Sequence, residues 1–105
     1  MPDQYDVFVN PVGDRIAYPL VVVLQSPFAR LAKTRIVAPA VRAPPAVRIG
    51  GVLTPRFTLD GQEYILQTFQ LTSMRVTDLK RRIANVAGLR DDITRALDHL
   101  FNDNA

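Results

Sequence analysis

A mainly β fold of short antiparallel strands with one C-terminal α-helix is the class this sequence predicts, on three observations. Short runs rich in β-branched and aromatic residues recur through the first two thirds of the chain. Asp60-Gly61 sits between two such runs as a tight hairpin turn. The end of the chain carries a single apolar stripe at helical spacing.

The elements follow in order. "YDVFV" (5–9) alternates, with Tyr5, Val7 and Val9 on one side and Phe8 as the exception. "NPVGD" (10–14) is turn chemistry, because Asn, Pro, Gly and Asp each favour non-extended backbone. "RIAYPLVVVLQ" (15–25) reads as a strand buried on both faces near its end, with Pro19 placing its first half at an edge or bulge. "TRIVAPA" (34–40) is a short strand that ends near Pro39. The segment 38–55 carries Pro39, Pro44, Pro45, Pro55 and Gly50-Gly51, and reads as a long semi-rigid loop, functional or merely connecting. "RFTLDGQEYILQT" (56–68) is the hairpin, and "TSMRVTDL" (72–79) a further strand. "KRRIANVAG" (80–88) is ambiguous between a helical turn and a short strand. Leu89, Ile93, Ala96, Leu97, Leu100 and Phe101 then line one face of a helix. Asp91 and Asp92 occupy its first turn, where the helix dipole favours carboxylates, and Arg90, Arg95, Asp98 and Asn102 face away.

Composition bounds the function. A chain of 105 residues, 48% hydrophobic, fits a single domain over 1–105. The longest apolar run, Ile16 to Leu24, contains a proline and falls far short of the roughly 20 residues that span a bilayer. No membrane span is expected. The opening "MPDQYD" lacks a signal-peptide pattern, and with no cysteine in the chain a cytoplasmic location is the expectation. A net charge of +3 with the "KRR" cluster (80–82) permits a locally positive face, but the eight aromatics fall mostly at inward positions. A solvated basic surface is the simpler reading, and direct nucleic-acid binding is not expected.

Catalytic chemistry is sparse. His99 is the one histidine, on the flank of the terminal helix, without a second His or a carboxylate pair at metal-ligand spacing. Ser26 and Ser73 lack a nucleophile motif, and the paired acids are explained by a helix start and a hairpin turn. The expectation is a non-enzymatic interaction protein without cofactor or metal.

The order of "QYDVFVN", "LQS" (24–26), "RIVAP" (35–39), "LTPRFTLDGQEYILQT" (53–68) and "DDITRALDHLF" (91–101) across one short chain resembles the CcdB family, toxins of bacterial type II toxin-antitoxin pairs that poison DNA gyrase. The resemblance implies a barrel-like antiparallel sheet of SH3 type with a C-terminal helix. It implies a homodimer near whose axis Leu97, Leu100 and Phe101 lie. It also implies a CcdA-like antitoxin that neutralises the toxin, and the gyrase A subunit as a target whose cleavage complex with DNA is trapped. Ser26, Phe28, Asp98, His99, Phe101 and Asn102 fall where the family meets gyrase, with Gln25 beside them. Arg15, Arg42 and Arg48 lie in or beside the loops that receive the disordered, acidic antitoxin tail. The Pro44-Pro45 pair and a shorter loop depart from the family pattern, which points to a different cognate antitoxin.

One further departure is informative. The best-known members end in Trp-Gly-Ile, whereas here Phe101 is followed by Asn102, Asp103, Asn104 and Ala105. Losing one buried aromatic anchor costs about 2 kcal/mol in binding, a roughly thirtyfold weakening. Two alternatives stay open on sequence: a ribonuclease toxin of the MazF or Kid kind on the same barrel, using Arg, Asp or His at a surface groove, and a non-toxic homologue that only binds antitoxin.

Overall fold

A computed structural model describes residues 2–26, 31–44 and 51–102. Seven strands occur among them: β1 (Asp6–Val9), β2 (Leu20–Val23), β3 (Thr34–Arg42), β4 (Arg56–Leu59), β5 (Gln62–Leu66), β6 (Thr72–Arg75) and β7 (Arg82–Asn85). A single helix, α1 (Arg90–Phe101), closes the series. The strands form one curled antiparallel sheet in the order β4-β5-β3-β2-β1-β7, with β6 pairing β3.

β3 organises the sheet. One edge pairs β2 from Leu20↔Ala40 to Val23↔Val37. The other edge is shared, because β6 covers Thr34 to Val37 and β5 covers Ala40 to Arg42. Pro39 falls in the gap between those two partners. Its carbonyl accepts the Gln67 amide at 2.9 Å on that shared edge, so its missing N–H faces the handover and costs no ladder bond. The expected strand end at Pro39 is therefore corrected: β3 runs on to Arg42, and the proline-rich loop begins later than 38.

Both faces of the sheet are covered, which a single alternation rule does not capture. Tyr5, Val7, Leu20, Val22, Leu66 and Ile93 belong to the main core beneath α1. Phe8, Val21, Val23, Val37 and Leu79 form a second cluster on the opposite face, with Met74 against it. Phe8 breaks the alternation of β1 because it belongs to that second core.

Three other boundaries shift. Residues 15–19 are turn rather than strand, since the Asp14 carboxylate accepts the amides of Ile16 (2.9 Å) and Ala17 (3.1 Å) and folds the chain back. β6 stops at Arg75, where the Arg75–Asp78 ion pair (3.1 Å) closes a 3-10 turn over Val76–Asp78 that delivers Leu79 into the second core. The ambiguous 80–88 stretch resolves as β7 plus a 3-10 turn over Ala87–Leu89. Between Val7 and Phe8 the β1–β7 register slips, leaving Ile83 as the extra residue of a bulge at the sheet edge. The hairpin turn is as expected, with Asp60 (φ 50°) and Gly61 (φ 79°) both left-handed.

Candidate functional site

The apolar stripe of α1 divides along its length. Ile93 and Ala96 are buried, and Leu89 and Leu97 pack on the same core. Phe101 does not: it is 68% exposed at the last helical position. Leu97 and Phe101 are four residues apart and so share a helix face. Together with Leu24, Gln25, Ile36 and Leu71 they line an apolar groove of about 470 Å³.

The opposite wall is rigid for a local reason. Gln25 ties the end of β2 to the start of β3: its Nε2 donates to the Thr34 carbonyl (3.4 Å) and its Oε1 accepts the Ile36 amide (3.1 Å). Ile36 is the unexpected part of that wall. Arg35 beside it is buried, donating to the carbonyls of Pro2 (3.3 Å), Ala32 (2.6 Å) and Thr34 (3.0 Å), while Ile36 stands 38% exposed. The usual burial preference is inverted here, and an aliphatic side chain is presented outward next to Phe101.

The sequence-expected residues distribute unevenly around this groove. Leu97 and Phe101 line it, and the exposed Ser26 follows Gln25 at its border. Asp98, His99 and Asn102 are exposed, and Leu100 is half-buried, but none of the four lines the groove. Asn102 caps the helix, its amide donating to the Asp98 carbonyl at 2.8 Å. Phe28 lies outside the described residues. Leu24, Ile36 and Leu71 were not anticipated, and only the Arg-Ile order in β3 could have signalled the second of them.

A different surface surrounds the 10–18 turn. The Asn10 side chain holds it, with Oδ1 accepting the Val12 amide (3.2 Å) and Nδ2 donating to the Tyr18 carbonyl (2.8 Å). Gly13 supplies the left-handed residue at φ 72°. Arg15 reaches back along the turn, its Nε donating to the Asn10 carbonyl (2.8 Å) and its Nη2 to the Pro11 carbonyl (3.4 Å). Arg42 meets the same turn from β3, donating Nη1 to the Ile16 carbonyl (3.3 Å). The structure therefore brings Arg15 and Arg42 to one loop, and Arg48 lies outside the described residues. Lys80 and Arg81, read from sequence as a solvated cluster, stand across a hollow from Arg15.

Among the described residues, no group of three or more His, Cys, Asp or Glu is placed to hold a metal ion. No helix among them is long and apolar enough to cross a membrane. The family model described as CcdB protein matches residues 4–103. No curated protein matches the chain in sequence comparison.

Proposed function

The chain belongs to the CcdB family, the toxins of toxin-antitoxin pairs, and from that premise we propose that it acts as a homodimer on the A subunit of DNA gyrase, by binding rather than catalysis. The observation that carries this reading is Phe101, a 68% exposed aromatic that lines an apolar groove with Leu97, Leu24, Ile36 and Leu71. Large aromatics beside apolar pockets are the residues that dominate interface energies. In the proposed dimer a second copy meets the flank formed by Leu97, Leu100 and Phe101. Ser26, Asp98, His99 and Asn102 form the polar rim that faces gyrase: the last three are exposed on α1 or directly after it, and Ser26 is exposed next in sequence to the groove-lining Gln25. In the absence of the Trp-Gly-Ile tail, the apolar share of the target contact falls on Phe101.

The test is purified protein incubated with gyrase and plasmid DNA, read for trapped double-strand cleavage, with a parallel incubation on RNA. Trapping by wild type that falls in Phe101→Ala supports the proposal. RNA cleavage without trapping overturns it in favour of a nuclease. Replacing residues 102–105 with Trp-Gly-Ile raises trapping if Phe101 presents the graft to gyrase; an unchanged or lower yield places the target contact elsewhere.

A further inference from the structure

The fold divides the KRR run. Arg82 is committed inward, paired to the buried Asp6 at 3.4 Å. Lys80 and Arg81 instead line a hollow of about 320 Å³ with Arg15, Asn10, Val12 and Asp78, and no residue of this hollow lines the groove beside α1. Three cations meet one carboxylate there, and Asp78 is already engaged by Arg75 at 3.1 Å. Lys80, Arg81 and Arg15 belong to no ion pair of the described residues.

The positive surface continues past the hollow. Arg75, its side chain 74% exposed, reaches Asp78 from the end of β6. The exposed Lys33 lies next to that end, where its carbonyl accepts the Val76 amide at 2.9 Å. Lys33, Arg75, Lys80, Arg81 and Arg15 are thus successive neighbours, gathered from distant parts of the sequence around the single carboxylate of Asp78. On the other side of the turn the charge stops. Asn10 and Val12 also line a largely apolar hollow of about 360 Å³ against Tyr18, Val21 and Met74, which Asp14 borders and no cation does. The Asn10–Val12 turn is a ridge between the two spaces, held by the Asn10 side chain and the Arg15 guanidinium, so the basic side is formed before any partner arrives.

We propose that this run of cations binds the phosphodiester backbone of duplex DNA, with Lys80, Arg81 and Arg15 around a phosphate in the hollow and Arg75 and Lys33 beside neighbouring phosphates. A single small anion uses only the hollow, whereas a linear polyanion engages the whole run. DNA is such a polyanion, with one negative charge per roughly 1.7 Å of helix axis. The choice of DNA among polyanions rests on the gyrase reading, because a protein that acts on a DNA-bound enzyme meets this one at its target. The two surfaces then divide the work: the groove beside α1 meets protein, and the basic run holds the nucleic acid. Phosphate contacts position a protein on the duplex and carry no sequence information, so the binding is independent of sequence.

The test titrates full-length protein, without gyrase, against a short fluorescent DNA duplex over a range of salt concentrations. Wild type is expected to bind with a slope of log affinity against log salt of about −3, as for three to four neutralised phosphates. Because Lys80 and Arg81 are exposed, Lys80→Gln/Arg81→Gln retains the fold, checked by its melting temperature. It should weaken binding roughly tenfold or more at low salt and bring the slope to about −1. Arg90→Gln/Arg95→Gln removes the same charge from α1 and should leave the slope at its wild-type value; an equal change in both double variants overturns the site, since net charge alone would then set the affinity. A wild type that binds no duplex, or binds it no better than Lys80→Gln/Arg81→Gln, overturns the proposal whether or not gyrase is trapped. Duplex binding that is lost in this variant upholds the site even where wild type traps no gyrase, a result that sinks only the gyrase reading. An RNA duplex bound more tightly than DNA overturns the assignment in favour of RNA, and a polyglutamate peptide that binds where DNA does not overturns it in favour of an acidic protein.

Discussion

The groove beside α1 and the basic hollow beside the 10–18 turn are built from opposite materials. The groove is walled by α1, the chain just after β2, β3 and the start of β6 with Leu71 before it, and its lining is mostly aliphatic and aromatic, with Gln25, Thr72 and Ser73 as the polar members. The hollow is bounded by a turn that side-chain bonds to backbone carbonyls hold in place, and it is lined by three cations. Apolar surface on rigid elements suits a permanent neighbour such as a second copy, because it gains free energy from burial without needing ions to be desolvated. Charged surface on a turn suits a partner that is acquired and released, since its attraction is long-ranged and sensitive to ionic conditions. A toxin acting on gyrase and its DNA needs both: a stable frame, and a charged face that the DNA can meet and leave.

The largest effect that breaks this contrast is Leu97→Asp. Leu97 packs on the main core and also lines the groove, so the substitution places a charge where apolar contacts are made on both sides. We expect dimer affinity to fall by roughly a hundredfold or more, with a loss of monomer stability of about 2 kcal/mol. Light scattering and thermal melts read the two separately. An unchanged dimer would place the two-fold axis away from α1.

Phe101→Ala separates the two contributions that Leu97 combines. Its side chain is mostly exposed in the monomer, so the melting temperature should barely move, within about 0.5 kcal/mol. Association through the groove should nevertheless weaken by roughly thirtyfold, the value of one aromatic anchor. A large drop in stability with no change in association would show that Phe101 supports the helix rather than an interface.

Those residues also show how far the sequence was legible. The helix, the hairpin and the double burial of β2 are visible because each depends on local patterns: a stripe, a turn dipeptide, a β-branched run. β3 is harder because its long-range partners decide it. Pro39 looks like a strand end until β5 and β6 are seen to divide the edge it occupies. Arg35 and Ile36 look like an outward and an inward residue until the carbonyls of Pro2 and Ala32 are seen to draw the arginine in. The basic hollow was half visible. "KRR" stands out in the sequence, but only the fold sets Lys80 and Arg81 opposite Arg15, which is 65 residues from the nearer of them. The family resemblance supplied fold and partner class, whereas the groove's far wall of Leu24, Ile36 and Leu71 required coordinates.

Ionic strength sharpens the comparison with no substitution at all. Doubling the salt concentration should weaken duplex-DNA binding by roughly eightfold, because a slope of about −3 reflects the counterions released at each phosphate contact. Dimerisation through the apolar groove should hold or tighten slightly under the same change. Parallel salt dependence of the two equilibria, measured by titration and by light scattering, would remove the distinction between the surfaces.

The smallest expected effect belongs to Arg42, and it asks which arginine of the 10–18 turn does the recognising. Arg42 is exposed, lines neither the basic hollow nor the apolar groove beside it, and already donates to the Ile16 carbonyl at 3.3 Å. Its charge reaches a phosphate of bound DNA only through solvent, where a single exposed pair is worth about 0.5 kcal/mol. Arg42→Gln should therefore weaken duplex-DNA binding by only about twofold at low salt, with the salt slope almost unchanged. Lys80→Gln/Arg81→Gln, acting within the hollow, should exceed it at every salt concentration where binding is measurable. If Arg42→Gln proves the more damaging of the two, the DNA backbone meets β3 instead of the segment before β7, and the ridge at Asn10–Val12 would lie beneath the DNA's path instead of bounding it.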